Sequence, residues 1–400
     1  MLVRCGSLAC VGVALLFGTT SAQDFMKLFE KDGAKKLLKQ QISPEALKPI
    51  VDPNKLEAEP YTVRTADGWT LVLHRYRPRQ SNGLAPVILC HGLNYNAHFW
   101  DLDPSCSLPR YLSEQGYDVW SADLRGCGMS QKWVWKVDQT SSVIVGGAIR
   151  NLSGGRLAPT GYATVDPRFA NWTLDDHITY DVAAIVFLVK QQTGAKDVTW
   201  IGHSMGGIVA LGHLCRYQNP GIGRLVCVGS QMTMPQGQVA TQLTTELLKT
   251  RELQLTKKAI PAATEKSVHN LFFNEQHVKK EVYDALGTWA KDVPAVGLLK
   301  QYTALTATGE LRDAGNTFSY TRNLRNVQVP ILICGGAMDQ LAPPAVQKYL
   351  YDNVGARDKQ LFIVGKTSGL PVDSGHNDSL VGTTSKQQFY PVIDQWIRKR

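Results

Sequence analysis

The densest chemical signal in the chain is Gly202-His203-Ser204-Met205-Gly206-Gly207, placed directly after the apolar run Val198-Thr199-Trp200-Ile201 and directly before the helical pattern IVALGHLCRY. A serine with glycine two positions to either side, on a strand-to-helix turn, is a nucleophile elbow. The turn is so tight that only small residues fit around Ser204, and it lifts the hydroxyl above the strand end. A serine hydroxyl is a weak nucleophile until a base takes its proton. Among nine histidines, His376 is the candidate base. It lies in Asp373-Ser374-Gly375-His376-Asn377-Asp378, after the apolar run KQLFIVG, in what reads as an exposed loop over a rigid scaffold. His203 flanks the elbow, His74 falls in a hairpin pattern, and His177 and His213 fall in helical ones. The base needs a carboxylate to fix its tautomer. Asp339, which ends ILICGGAMD ahead of Pro343-Pro344, is placed for that role. Asp373 and Asp378 are rivals, but their closeness to His376 suits them better to holding its loop. Ser204, Asp339 and His376 together are the parts of nucleophilic acyl transfer.

Such attack on a carbonyl builds an oxyanion, and a single well-placed donor contributes about 3–4 kcal/mol. The backbone N–H of Met205, at the helix start, is one candidate. That of Leu93, in the turn Cys90-His91-Gly92-Leu93, is the other. His91 itself reads as a turn histidine bonded to backbone. In Asp123-Leu124-Arg125-Gly126-Cys127-Gly128 the glycines allow a tight loop beneath the site. Asp123 and Arg125 read as holding that loop by bonds to backbone; Asp123 is a poorer candidate than Asp339 for the acid.

Elements able to position these groups are visible along the chain. YTVRTADGWTLVLHRYRP (61–78) alternates apolar and polar around Ala-Asp-Gly, a hairpin pattern. Short apolar runs follow at 87–90, 119–122, 198–201, 225–228, 331–334 and 361–364, with helical patterns at 108–115, 179–192, 206–216 and 345–352. Apolar strands alternating with helices imply an α/β fold with a mostly parallel sheet and helices on both faces. Two stretches break the rhythm. Residues 131–171 are rich in Gly, Ser and Thr and read as a long loop or partial cap. Residues 231–326 are mainly helical in pattern and far exceed an ordinary connection, so they read as an inserted cap or lid. The implied organisation is a signal peptide at 1–22, an N-terminal helical extension at 23–60, a core in two parts at 61–230 and 327–400, and the cap between them.

With 44% apolar, 8% aromatic and 19% charged residues in 400, the composition is that of a globular protein and excludes disordered and coiled-coil classes. The net charge of +9 is spread without a basic block or an aromatic-interleaved basic stripe, so no nucleic-acid partner is expected. Arg4, the apolar stretch around Cys10 to Gly18 and the small residues Thr20, Ser21 and Ala22 form a secretory signal pattern, placing the protein outside the cell or in the periplasm. Its removal takes one Arg and no acid, leaving 42 basic against 34 acidic residues, or +8. Six cysteines then remain, too few for a disulfide framework. Cys90, Cys227 and Cys334 lie in apolar runs and read as buried thiols, a Cys106–Cys127 bridge stays open, and no spacing suggests zinc. Residues 24–40 read as an amphipathic helix that packs on the domain, with peripheral contact with a lipid surface as its second role. Asn151-Leu152-Ser153 and Asn171-Trp172-Thr173 are glycosylation acceptors only in a eukaryotic host.

Taken together, CHGLNYNAHFW, YLSEQGYDVWSADLRGCGMS, FANWTLDDHITYDVAAIVFLVKQQTGAKDVTWIGHSMGG and GGAMDQLAPP resemble the α/β-hydrolase superfamily, and within it the acid lipase and related lipase/esterase branch. The resemblance covers about residues 61–230 and 327–400. It implies Ser204, Asp339 and His376 as the triad, Leu93 and Met205 as the oxyanion hole, and a helical cap at 231–326. Acid lipases usually carry Gln after the nucleophile, where this chain has Met205. The implied activity is hydrolysis of a small-molecule or lipid carboxylic ester, with no metal or organic cofactor. Two further readings use the same residues: a polyester depolymerase or thioesterase, and a catalytically silent fold that binds. Polyhydroxyalkanoate synthases place cysteine at the nucleophile, and dehalogenases and epoxide hydrolases a carboxylate, so Ser204 argues against all three.

Overall fold

The structure, a computed structural model, describes residues 58–132, 171–218, 220–234 and 270–399. The signal pattern, the 24–40 helix, the Gly-rich stretch from 133 to 170 and residues 235–269 of the expected cap lie outside the described residues. Eight strands make one sheet: β1 (Glu59–Arg64), β2 (Thr70–Tyr76), β3 (Val87–Cys90), β4 (Val119–Asp123), β5 (Val198–His203), β6 (Ile222–Val228), β7 (Ile331–Gly336) and β8 (Lys359–Val364). Their order is β1-β2-β4-β3-β5-β6-β7-β8. The hairpin pattern forms β1 and β2, antiparallel, with Tyr61 opposite Leu73. β2 is also antiparallel to β4, and every pairing from β4 through β8 is parallel.

Five of the six apolar runs become strands buried on both faces, so side chains alternate between two cores rather than between core and water; β8, at the sheet edge, is mostly half-buried. Ile88, Trp200, Leu225, Cys227, Ile331 and Ile333 face one cluster, with Val182 and Ile185 of α2 (Val182–Thr193), Ile208 of α3 (Met205–Arg216) and Leu350 of the helix Pro344–Asn353. Leu89, Ile201, Val226, Val228, Leu332 and Cys334 face the other, with Leu108 and Leu112 of α1 (Leu108–Glu114) and Ile393 and Trp396 of the C-terminal helix Tyr390–Arg398.

β6 and β7 are neighbours in the sheet, yet residues 229–330 separate them in the chain. The described part of that excursion holds α4 (Lys280–Trp289) and α5 (Val296–Thr308). Strand order reverses between β3 and β5, and a crevice at such a reversal, beyond the strands' carboxyl ends, is where open α/β sheets place ligands. His91 and Ser204 both emerge there.

Candidate active site

β5 ends at His203 and α3 begins at Met205, so one residue makes the whole turn. Ser204 has φ 51° and ψ −118°, outside the conformations that non-glycine residues ordinarily adopt. Its N–H donates to Val228 O at 2.8 Å, and its carbonyl accepts from Ser230 Oγ at 2.9 Å, which locks the turn to the end of β6. The glycines are there for space: a Cβ at Gly202 would lie 2.3 Å from Gly206 C, and one at Gly206 would lie 2.0 Å from Cys90 O. The elbow therefore packs directly on the end of β3.

His376 Nδ1 and Asp339 Oδ2 are 2.8 Å apart. The other carboxylate oxygen of Asp339 accepts from the N–H groups of Leu341 and Ala342, both at 2.8 Å, which orients the carboxylate. This pair sits on the residue that follows Val228: a Cβ built on Gly229 would be 3.1 Å from His376 Nδ1 and 3.3 Å from Asp339 Oδ2. The ends of β5, β6, β7 and β8 thus bring Ser204, Asp339 and His376 to one place. His376 is only 1% exposed, so the reading of an exposed loop is corrected. The loop folds inward, with Phe272 edge-on to the imidazole at 5.9 Å between centroids.

Neither rival carboxylate reaches His376 Nδ1. Asp378 accepts from Gly375 and Asn274 N–H groups and from His277 Nδ1 at 2.9 Å, while Asp373 accepts from Lys366 N–H. Both hold the loop, as expected of them.

Gly92 through Tyr95 form a turn closed by Tyr95 N–H to Gly92 O at 3.2 Å, with Asn94 at φ 70°. Closing a four-residue turn this way uses the N–H of its fourth residue and leaves that of the second, Leu93, outside the turn's own bonding. A Cβ on Gly92 would sit 3.1 Å from Ser204 Cβ, so this turn borders the serine directly. Met205, the first residue of α3, contributes a helix N-terminal N–H with no partner inside the helix. His91 is a backbone-bonded turn residue: Nε2 accepts from Leu124 N–H at 3.2 Å and Nδ1 donates to Gly92 O at 2.9 Å. Burial lowers its pKa and keeps it neutral.

Asp123 accepts from the N–H groups of Ala97 and Met129 and pairs with His74 Nε2 at 3.0 Å. Arg125 meets the backbone-bonding expectation only in part: Nη2 donates to Asp176 O at 3.4 Å, and its main partners are carboxylates. It forks onto Asp181 and Asp67, because a guanidinium only 1% exposed needs carboxylates to offset its lost hydration. Cys106 and Cys127 are separate free thiols, as are the other four described cysteines. Among the described residues no group of His, Cys, Asp and Glu is arranged to hold a metal, and no helix is long and apolar enough to cross a membrane.

Residues 85–383 match the family described as alpha/beta hydrolase fold. The chain belongs to the α/β-hydrolase fold family. Residues 48–103 of this α/β hydrolase also match the partial alpha/beta-hydrolase lipase region. A probable lipase of Schizosaccharomyces pombe is 30% identical over 166 residues, which is 40% of this chain and 30% of that one. The tear acid lipase-like protein of Mesocricetus auratus is 31% identical over 39% of this chain and 34% of its own length. The gastric triacylglycerol lipase of Rattus norvegicus is 27% identical over 42% of this chain and 36% of its own length. The matched segment thus spans about a third of these relatives. Among solved structures, an esterase from Exiguobacterium antarcticum superposes with a TM-score of 0.56 at 17% identity, covering 85% of this chain and 100% of that one. An enol-lactonase from Burkholderia xenovorans gives 0.52 at 15% identity, over 83% and 97%. Identities this low speak to the fold alone.

Several residues of this α/β hydrolase escaped sequence reasoning. Leu271, Phe272, Phe273, Leu298 and Leu299 form an apolar set in the segment between β6 and β7. Four of them are buried in the two cores, whereas Phe272 is the one against His376. His277 and Asp292, which bond to the loops around the site, carried no local motif.

Proposed function

We propose that this chain is an exported serine hydrolase that cleaves carboxylic esters through an acyl-enzyme on Ser204. The observation that carries the reading is the Asp339–His376 pair at 2.8 Å, set beside a serine held at positive φ. With Nδ1–H committed to Asp339, the neutral ring keeps a lone pair on Nε2 for the Ser204 proton. Ser204 Oγ attacks the ester carbonyl as that proton moves to His376. The oxyanion is met by the N–H groups of Leu93 and Met205. His376 returns the proton to the leaving alkoxide, and the alcohol departs. It then deprotonates water, which attacks the acyl group and frees the acid and Ser204.

The lipase names of the relatives support an ester, and a lipid ester among them. Residues 61–230 and 327–400 form the catalytic core in this reading, with 231–326 inserted over it, and residues 1–22 direct export. Hydrolysis of p-nitrophenyl esters from acetate to palmitate by wild type and Ser204→Ala tests it. A loss of about a thousandfold or more in the variant supports the acyl-enzyme. A folded wild type that turns over none of the esters removes the reading and favours a binding role.

A further inference from the structure

The segment inserted between β6 and β7 grips the site from two sides. On the base side, Phe272 O accepts from Asn377 N–H at 2.9 Å, Asn274 Nδ2 donates to Asp373 O at 2.8 Å, and the His277 ring bridges Asp378 Oδ2 at 2.9 Å and Thr384 Oγ1 at 2.8 Å. The chain then runs through α4 and arrives at the turn that holds Leu93. There Asp292 N–H donates to Asn94 O at 2.9 Å, and Lys291 bridges Tyr95 in antiparallel fashion. Asp292 Oδ2 accepts from Gly128 N–H at 2.7 Å and from Asn96 Nδ2 at 2.9 Å, while Oδ1 pairs with the Lys132 ammonium. Asn96 Nδ2 also reaches Trp289 O at 3.1 Å.

Asn94 needs such support. A non-glycine residue at positive φ is held there only where its surroundings over-determine the conformation. Asp292 supplies that on both sides of the turn's exit: its main-chain N–H holds the Asn94 carbonyl, and its carboxylate, the part an Ala variant removes, holds the Asn96 amide and the Gly128 N–H. Its carboxylate is nearly buried, with 9% of the side chain exposed, so the bonds to the Asn96 amide and the Gly128 N–H face little competition from water.

We propose that Asp292 is the positioning residue of the oxyanion hole: it locks the Gly92–Tyr95 turn in the form that presents the Leu93 N–H to the substrate. The helix α4 ties that lock to the base loop, so residues 272–292 are a fixed wall of the active site and not a moving lid. The inference rests on the acyl-enzyme reading above.

The test is steady-state ester hydrolysis together with inhibition by a trifluoromethyl ketone, whose adduct with Ser204 carries the tetrahedral oxyanion. Loss of one oxyanion donor costs about 10²–10³ in kcat, and a donor displaced rather than removed should cost Asp292→Ala about 10- to 100-fold. KM should stay within about threefold and the ketone's Ki should rise by the same factor as kcat falls, since the donor acts on the tetrahedral state. The acid limb of the pH–rate profile should not move, because the Asp339–His376 pair is untouched. Asp292→Asn, whose amide oxygen can accept from both N–H donors, should recover most of the activity. Wild-type kcat in Asp292→Ala, a fall in kcat without a matching rise in Ki, or an Asn variant as impaired as Ala overturns the proposal. If Asp292→Ala does not fold, Asn96→Ser keeps an oxygen for the His98 N–H and deletes the amide. It should show the same paired change, and unchanged kcat and Ki overturn the proposal. An inactive wild type defeats the ester reading and the inference with it; an active wild type with indifferent variants defeats the inference alone.

Discussion

His203 Nε2 donates to the backbone carbonyl of His376 at 3.2 Å, so the residue before the nucleophile holds the residue proposed as its base. The His203 ring is stacked on Phe99 at 4.6 Å and lies 4.8 Å from the His376 ring. Burial, reinforced by nearby His376, keeps its pKa well below the usual histidine range, so the ring is neutral and its single N–H goes to that carbonyl. His203→Phe should keep the stacking and lose the donor. One hydrogen bond of about 1 kcal/mol corresponds to a kcat loss of about fivefold, with a shifted acid limb in the pH–rate profile. An unchanged kcat and profile would show that the bond does not position the base.

Asp339 and Asp378 can be told apart by the same conservative change. Asp339→Asn removes the acceptor that sets the His376 tautomer, and kcat should fall by about 10⁴-fold, as for an equivalent change in a serine protease triad. Asp378→Asn keeps an oxygen for the Gly375 and Asn274 N–H groups and should cost thermal stability much more than kcat. Equal kcat losses in the two variants would contradict the assignment.

Two glycine substitutions should have opposite signs. Gly206→Ala forces a Cβ to within 2.0 Å of Cys90 O, backbone that cannot swing aside, and should destabilise by about 2–3 kcal/mol. Gly287, exposed on α4 with nothing within 4 Å of a built Cβ, should gain about 0.5–1 kcal/mol as Ala. Urea titration of the two variants reads both. A neutral Gly206→Ala would mean that the elbow does not sit against β3.

Stability should fall on mild acidification. Burial depresses the pKa of His91, His98, His203 and His213. Below the unfolded value of about 6.5 the unfolded chain binds protons that the folded one refuses, so unfolding becomes easier by up to about 1.4 kcal/mol per pH unit for each such histidine. The contribution is absent above that pH and grows as pH falls towards the depressed folded values. Urea midpoints at pH 7, 6 and 5 should decline in that order. A flat series would show that these rings protonate in place.

The local pattern of this chain determined the elbow, the chain order of Ser204, Asp339 and His376, and all eight strands, two as a hairpin pattern and six as apolar runs. Those features are written in neighbouring residues: an apolar run buried on both faces, then glycines where backbones must touch. Tertiary structure decided what depends on distant partners. That β2 runs antiparallel to β4 is invisible in either strand alone. His376 has two acids within three residues, yet its Nδ1 meets Asp339, 37 residues away, because β7 and β8 end side by side. Arg125 took Asp67 and Asp181 in addition to the backbone carbonyl of Asp176, since a buried guanidinium needs carboxylates to offset its lost hydration. His277 joins Asp378 across 101 residues and Asp292 joins Asn96 across 196. No periodicity or motif marks them, because their roles arise only when the insertion folds back over the carboxyl ends of the sheet.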